Sequence, residues 1–258
     1  MNGNENLSKD ERLMHYKVRR LDKSNITFST ILANMEGGCG KRHSPQQFKQ
    51  HCHHDAEIVI KYLEKARTDI SAMDFIAHMV EKHSVLLEED NVEKYQLFLE
   101  KINHFLVHPL KACLRFKTCQ EICTVAEEAG INRYHVVVLV SLASVCGFEA
   151  AKNIIKPKEK LDDLNTYNAI NDIMVLSRIG TFKAISKQEG NGATFAYLTL
   201  DKNLEAFLKA VRITDATATP CIGGMQTMTT YRPLPSLFPS LTRKQFFALF
   251  SSRENGER

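Results

Sequence analysis

The side chains best placed for chemistry lie between residues 160 and 205. Helical spacing is predicted over roughly 162–179. At ~100° per residue it brings Asn165, Asn168 and Asp172 within about 60° of one another. Leu161, Leu176 and Ile179 share that face, and Ile170, Ile173 and Met174 cover the other side, so the helix reads as buried. Two amides and a carboxylate set into an apolar face must be satisfied by something, because burying them bare costs several kcal/mol. One reading is a cleft floor on which Asp172 holds a metal ion and the amides steady it. The other is a hydrogen-bonded structural network. Further on, Phe195–Leu200 reads as a strand, and Asp201 stands at its carboxyl end and opens a helix. In α/β sheets that edge binds ligands, although Asp is also an ordinary helix cap. Carboxylate and amide oxygens suit hard divalent ions such as Mg²⁺. Such ions acidify a bound water and offset phosphate charge.

A second cluster is denser. Cys39, His43, His51, Cys52, His53, His54 and Asp55 fall close together, and soft ligands at short spacing can hold Zn²⁺. The spacing follows no standard zinc pattern, and a solvated, His-rich helix start explains it equally. His54-Asp55 is similar to the dipeptide of HD-type phosphohydrolases, although the preceding Gln46–His53 is mostly polar. Two basic groups, one of Lys17, Arg19, Arg20 and Lys23 and one of Lys156, Lys158 and Lys160, are suited to phosphate contacts or to plain solvation. Gly37-Gly38-Cys39-Gly40-Lys41 lacks the spacing of a phosphate-binding loop, and no nucleophile elbow occurs.

These residues need a scaffold, and the 258-residue chain can supply one. It is 43% hydrophobic, which permits a sizeable core. A net charge of +4 allows a nucleic-acid partner without arguing for one. Apolar runs as short as Val136–Val140 exclude an ~20-residue membrane span. The polar Met1–Asp10 gives no expectation of a secretory leader. Seven cysteines, an odd number, suggest free thiols in a reducing cytoplasm. Helices are predicted over Gln46–Arg67 after a Ser44 cap and Pro45, over Val92–Val107, and over Gln120–Ala129 closed by Gly130. The β-branched run His135–Val140 fits either a strand or, with Leu142 to Gly147, a helix, which we favour. Residues 214–239, rich in Thr, Pro, Gly and Ser, read as an irregular arm. The arm leads into a short helix over Leu241–Phe250, whose phenylalanines must dock on the chain itself or on a partner.

The order helix with Asn165, Asn168 and Asp172, then Leu198-Thr199-Leu200-Asp201-Lys202-Asn203-Leu204, resembles the C-terminal half of PIN-like nucleases. The resemblance covers residues 160–212. It implies an α/β fold with a small parallel sheet, to which the long helical stretch over 46–155 would be a large insertion, giving a helix-rich α/β chain. It also implies a carboxylate cluster that binds Mg²⁺ or Mn²⁺ and hydrolyses RNA. Asp172 and Asp201 would be carried-over metal ligands with Asn168 in support, and Asp163 a weaker substitute for Asp172. Glu36, in Leu32-Ala33-Asn34-Met35-Glu36-Gly37-Gly38, is similar to the acid that the family places on an early helix, and would be the third ligand. The family also ends its first strand in an Asp. Asp22 is the residue on offer here, but the basic Lys17–Arg20 before it is a poor strand. The expectation is therefore a PIN-like domain over 1–213 with a C-terminal arm over 214–258, acting as a cytoplasmic, metal-dependent endoribonuclease. Its expected partners are RNA and a protein inhibitor or a second copy of the chain, with no membrane. The competing readings are a non-enzymatic helical interaction module and a metal-dependent phosphohydrolase using His54 and Asp55.

Overall fold

The computed structural model describes residues 7–35, 43–69, 92–160, 163–188, 190, 194–221 and 224–250. The chain forms two compact units, 1–90 and 91–258. The boundary expected at 213/214 falls inside the second of these, within a strand. Helix makes up 65% of the structure, and among the described residues the strands form one parallel and one antiparallel pair, so the coarse expectation of a helix-rich α/β chain holds. No helix among the described residues is long and apolar enough to cross a membrane.

Unit one opens with α1 (Lys9–Leu21), so Lys17–Arg20, read as unsuited to a strand, is helical. Ser8 and Glu11 form a reciprocal capping box that satisfies the first free backbone N–H groups and fixes its start. Strand β1 (Thr27–Phe28), α2 (Ile31–Met35), α3 (Pro45–Tyr62) and β2 (Arg67–Thr68) follow. The two strands pair in parallel, Thr27 with Arg67 and Phe28 with Thr68, as a crossover through helices requires. Helix α3 starts at the expected Ser44 cap but stops five residues short of Arg67. The reason is Asp22, just past α1. Its carboxylate accepts the backbone N–H groups of Glu64, Lys65 and Ala66 at 2.9, 2.9 and 2.7 Å, which turns the chain out of the helix. Asp22 is therefore a helix-end clamp and does not end a strand, and these three hydrogen bonds hold its carboxyl below the usual range.

Unit two contains α4 (Val92–Val107), α5 (Ala112–Glu128), α6 (Val136–Val145), α7 (Glu149–Ile155), α8 (Asp163–Gln188) and α9 (Lys202–Ala210). After these come strands β3 (Val211–Cys221) and β4 (Gly224–Pro233), a 3₁₀ turn over Pro235–Leu237, and α10 (Arg243–Phe250). Helix α4 buries Tyr95, Phe98, Leu99, Ile102 and Leu106 on one face, with Val92 and Phe105 partly buried beside them. Helix α6 resolves the ambiguous run as a helix with Val136–Ala143 and Val145 buried, and the His135 Nδ1 caps it by accepting the Val137 N–H. Helix α8 runs nine residues beyond the expected end.

Two sequence expectations fail here. Residues 194–200 form no strand. Residues 211–233, read as irregular from 214 onward, form an antiparallel hairpin instead. Threonine is a good strand former, and each strand of a two-stranded hairpin has an open edge that tolerates Pro220 and Pro233. The hairpin is held because Gly180 of α8 lets it approach closely. A Cβ there would lie 2.3 Å from Thr229 Oγ1. Three of the C-terminal phenylalanines dock on their own unit, and Phe247 stays half-exposed. Phe238 is buried, and Phe246 and Phe250 pack against the core. Tyr134 and Arg133 hold the last carbonyls of α10, at Phe250 and Leu249.

Candidate functional site

Asp172 and Asp201, separated by the rest of α8 and an irregular segment, are near enough for the charge of Asp201 to raise the Asp172 carboxyl. Asp172 lies on α8, half-buried. Asp201 is the N-cap of α9, where its Oδ1 accepts the N–H groups of Asn203 and Leu204 at 2.7 and 3.0 Å. Its own N–H donates to Thr199 Oγ1 at 3.0 Å, so the Thr-x-Asp sequence is a local brace that aims the carboxylate. Asn153 donates to Asn203 Oδ1 at 3.1 Å and ties α7 to α9 beside it. Burial raises the Asp172 carboxyl above its usual range and the Asp201 charge adds to that rise, while Lys156 and Arg178 oppose it. That coupling places the two carboxylates in one electrostatic neighbourhood.

Two cations complete it. Lys156 Nζ lies 4.0 Å from Asp172 Oδ2. Arg178 is buried and its Nη2 donates to Asn171 Oδ1 at 2.8 Å. Neither Arg178 nor Asn171 was singled out from sequence. The available signal was an arginine seven residues after an asparagine on a helix expected to be apolar all round, a spacing that stacks them on one face. The amides grouped with Asp172 divide. Asn165 Oδ1 accepts from Lys158 Nζ at 2.8 Å. Asn168 is exposed, so it does not floor a closed cleft. Because residues 194–200 form no strand, Asp201 does not lie at the carboxyl end of a sheet and the strand–acid–helix unit expected there is absent. Asp201 does cap a helix, the plainer of its two expected roles. Glu36 and Cys39 lie outside the described residues.

The arrangement suits a hard cation only in part. Mg²⁺ is commonly held by one or two carboxylates with waters filling the remaining positions. Asp172, together with whatever capacity capping leaves to Asp201, meets that minimum. A cation here must also compete with the Lys156 ammonium. Among the described residues there is no group of three His, Cys, Asp or Glu side chains that could hold a metal ion.

Unit one gathers a separate polar cluster past the carboxyl ends of β1 and β2. Asn34 is buried and donates to Thr30 O and Asp55 Oδ2 at 3.1 and 3.0 Å. Burial pushes the Cys52 thiol up to about 12, with Asp69 and then Asp55 adding to it. Burial likewise raises Asp69, while a hydrogen bond from Ser29 opposes it. Cys52 is fully buried and packs as a small apolar group. The rings of His43 and His51 stack 4.4 Å apart. His54 is exposed while Asp55 turns inward to Asn34, so the dipeptide does not converge on one cavity.

Compared with protein-family models, with curated proteins and with solved structures, the chain finds no match in any of the three.

Proposed function

We propose that the chain is a divalent-cation-dependent ribonuclease centred on Asp172 and Asp201 of unit two. The observation that supports this is that two acids on separate elements feel each other's charge, with the Lys156 ammonium 4.0 Å from Asp172. Asp172 is set where burial and a second acid both disfavour its charge, an arrangement that a cation relieves. Asp201 is braced by Thr199 and the α9 backbone, so its position is fixed before anything binds. Mg²⁺ or Mn²⁺ held there would supply charge neutralisation and an acidified water for phosphodiester hydrolysis. Phe238, Phe246 and Phe250 pack on their own core while Phe247 stays half-exposed, so the interaction-module reading keeps one of the side chains that motivated it.

The test is Mn²⁺-dependent cleavage of a mixed single-stranded RNA pool by wild type, Asp172→Asn and Asp201→Asn. Asn is as good a helix cap as Asp, so Asp201→Asn keeps the fold. Loss of cleavage in both folded variants supports the reading. Absence of cleavage by wild type in Mg²⁺ and Mn²⁺, together with no upward shift in melting temperature on adding Mn²⁺, overturns it. The acids would then be part of a structural ion network with Arg178.

A further inference from the structure

Two carboxylates repel a phosphate strand, so an acidic centre that works on RNA needs fixed positive charge beside it. Runs of lysines on exposed joints are usually mobile, and holding one such side chain still costs up to ~2 kcal/mol of rotamer freedom. The joint between α7 and α8 departs from that rule. Lys156 takes the left-handed conformation, φ 51°, and is the single non-glycine residue with positive φ among the described residues. Its N–H closes α7 on Lys152 O at 2.8 Å, and its ammonium points to Asp172. Glycine or asparagine would adopt this backbone with less strain, yet a lysine stands there. Two residues on, Asn103 Nδ2 donates to the Lys158 carbonyl at 2.8 Å, and Lys158 Nζ donates to Asn165 at 2.8 Å. Backbone and side chain of Lys158 are thus both pinned, and the Lys156 backbone is closed onto α7. Asn165 and Asp172 lie seven residues apart, ~10 Å along α8 at 1.5 Å per residue, so the two ammonium groups mark out a line beside the acids.

We propose that Lys156 and Lys158 form a phosphate track that lays an RNA strand along α8, beside Asp172. This rests on the ribonuclease reading and adds two positioning residues to it. The two lysines position the strand and take no part in bond cleavage.

The experiment is fluorescence anisotropy of a labelled single-stranded RNA bound to the full chain, in EDTA, over a series of salt concentrations. Lys156→Gln and Lys158→Gln should each flatten the plot of log affinity against log salt by about 0.7, the single-strand value for one phosphate contact. Asp172→Asn should tighten binding, because it removes a charge that the strand crosses. Lys117→Gln, on α5, serves as the control and should leave the slope unchanged. Wild type that binds no RNA at low salt, or a Lys156→Gln/Lys158→Gln double variant with the wild-type slope, overturns the track. Flattened slopes without Mn²⁺-dependent cleavage would leave the track standing and remove the hydrolysis. Cleavage with unchanged slopes would do the reverse.

Discussion

Lowering the pH should destabilise unit two through His135. Its Nδ1 accepts the Val137 N–H at 3.3 Å, and its ring stacks on Tyr95 at 4.4 Å between centroids. Only the neutral imidazole can accept at that nitrogen, so protonation removes the cap of α6. Burial and then the Lys94 ammonium hold its pKa at about 4, against 6.5 for the free side chain. Because the folded pKa is the lower one, the unfolded chain binds the proton first as pH falls. The contribution is therefore whole above pH 6.5, shrinks as pH falls toward 4, and changes no further below that. At about 1.4 kcal/mol per pKa unit, the full difference is ~3 kcal/mol, and ~2 kcal/mol of it is expressed by about pH 5. His135 retains some solvent access, which brings the expected loss to ~1–2 kcal/mol. The assay is urea unfolding at about pH 7 and about pH 5, for wild type and His135→Asn, read as midpoints at constant slope. Asparagine keeps a side-chain cap and does not titrate. The other histidines cancel in the comparison. Wild type should lose ~1–2 kcal/mol more than the variant over this interval. Equal losses in the two proteins, or an NMR titration of His135 at or above 6.5, would refute the reasoning.

Two further changes probe the scaffold. Gly180→Ala gains ~1 kcal/mol of helix propensity but drives a Cβ into Thr229, and overpacking of this kind costs ~1–3 kcal/mol. A net melting-temperature drop of about 2–6 °C is expected. The drop should shrink in a Thr229→Gly background, and equal drops in both backgrounds would show that the contact is absent. Asp201→Ala should destabilise by ~1 kcal/mol through loss of the α9 cap, and Asp201→Asn by much less. Equal effects in thermal melts would mean that Asp201 is not working as a cap.

The sequence by itself determined the elements whose causes are local. The Ser44 cap with Pro45, the apolar stripe of α4, the left-handed Gly130 after α5 and the short closing helix are written in adjacent residues. So was the Thr199-Leu200-Asp201 brace, once Asp201 is read as a cap. The Ser8-x-x-Glu11 box that starts α1 was equally legible, and the basic residues behind it obscured it. Only the tertiary structure decided the rest. Asp22 ends α3 across more than forty residues, through hydrogen bonds that no local window contains. The hairpin depends on Gly180 giving way to Thr229, and without that shelf a run of Thr, Gly and Pro reads as loop. The influence of Asp201 on Asp172, and the placing of the Lys156 ammonium beside Asp172, follow from α7, α8 and α9 packing together. Helical periodicity states which face a side chain occupies, but which other element shares that face is fixed by the packing of the whole core.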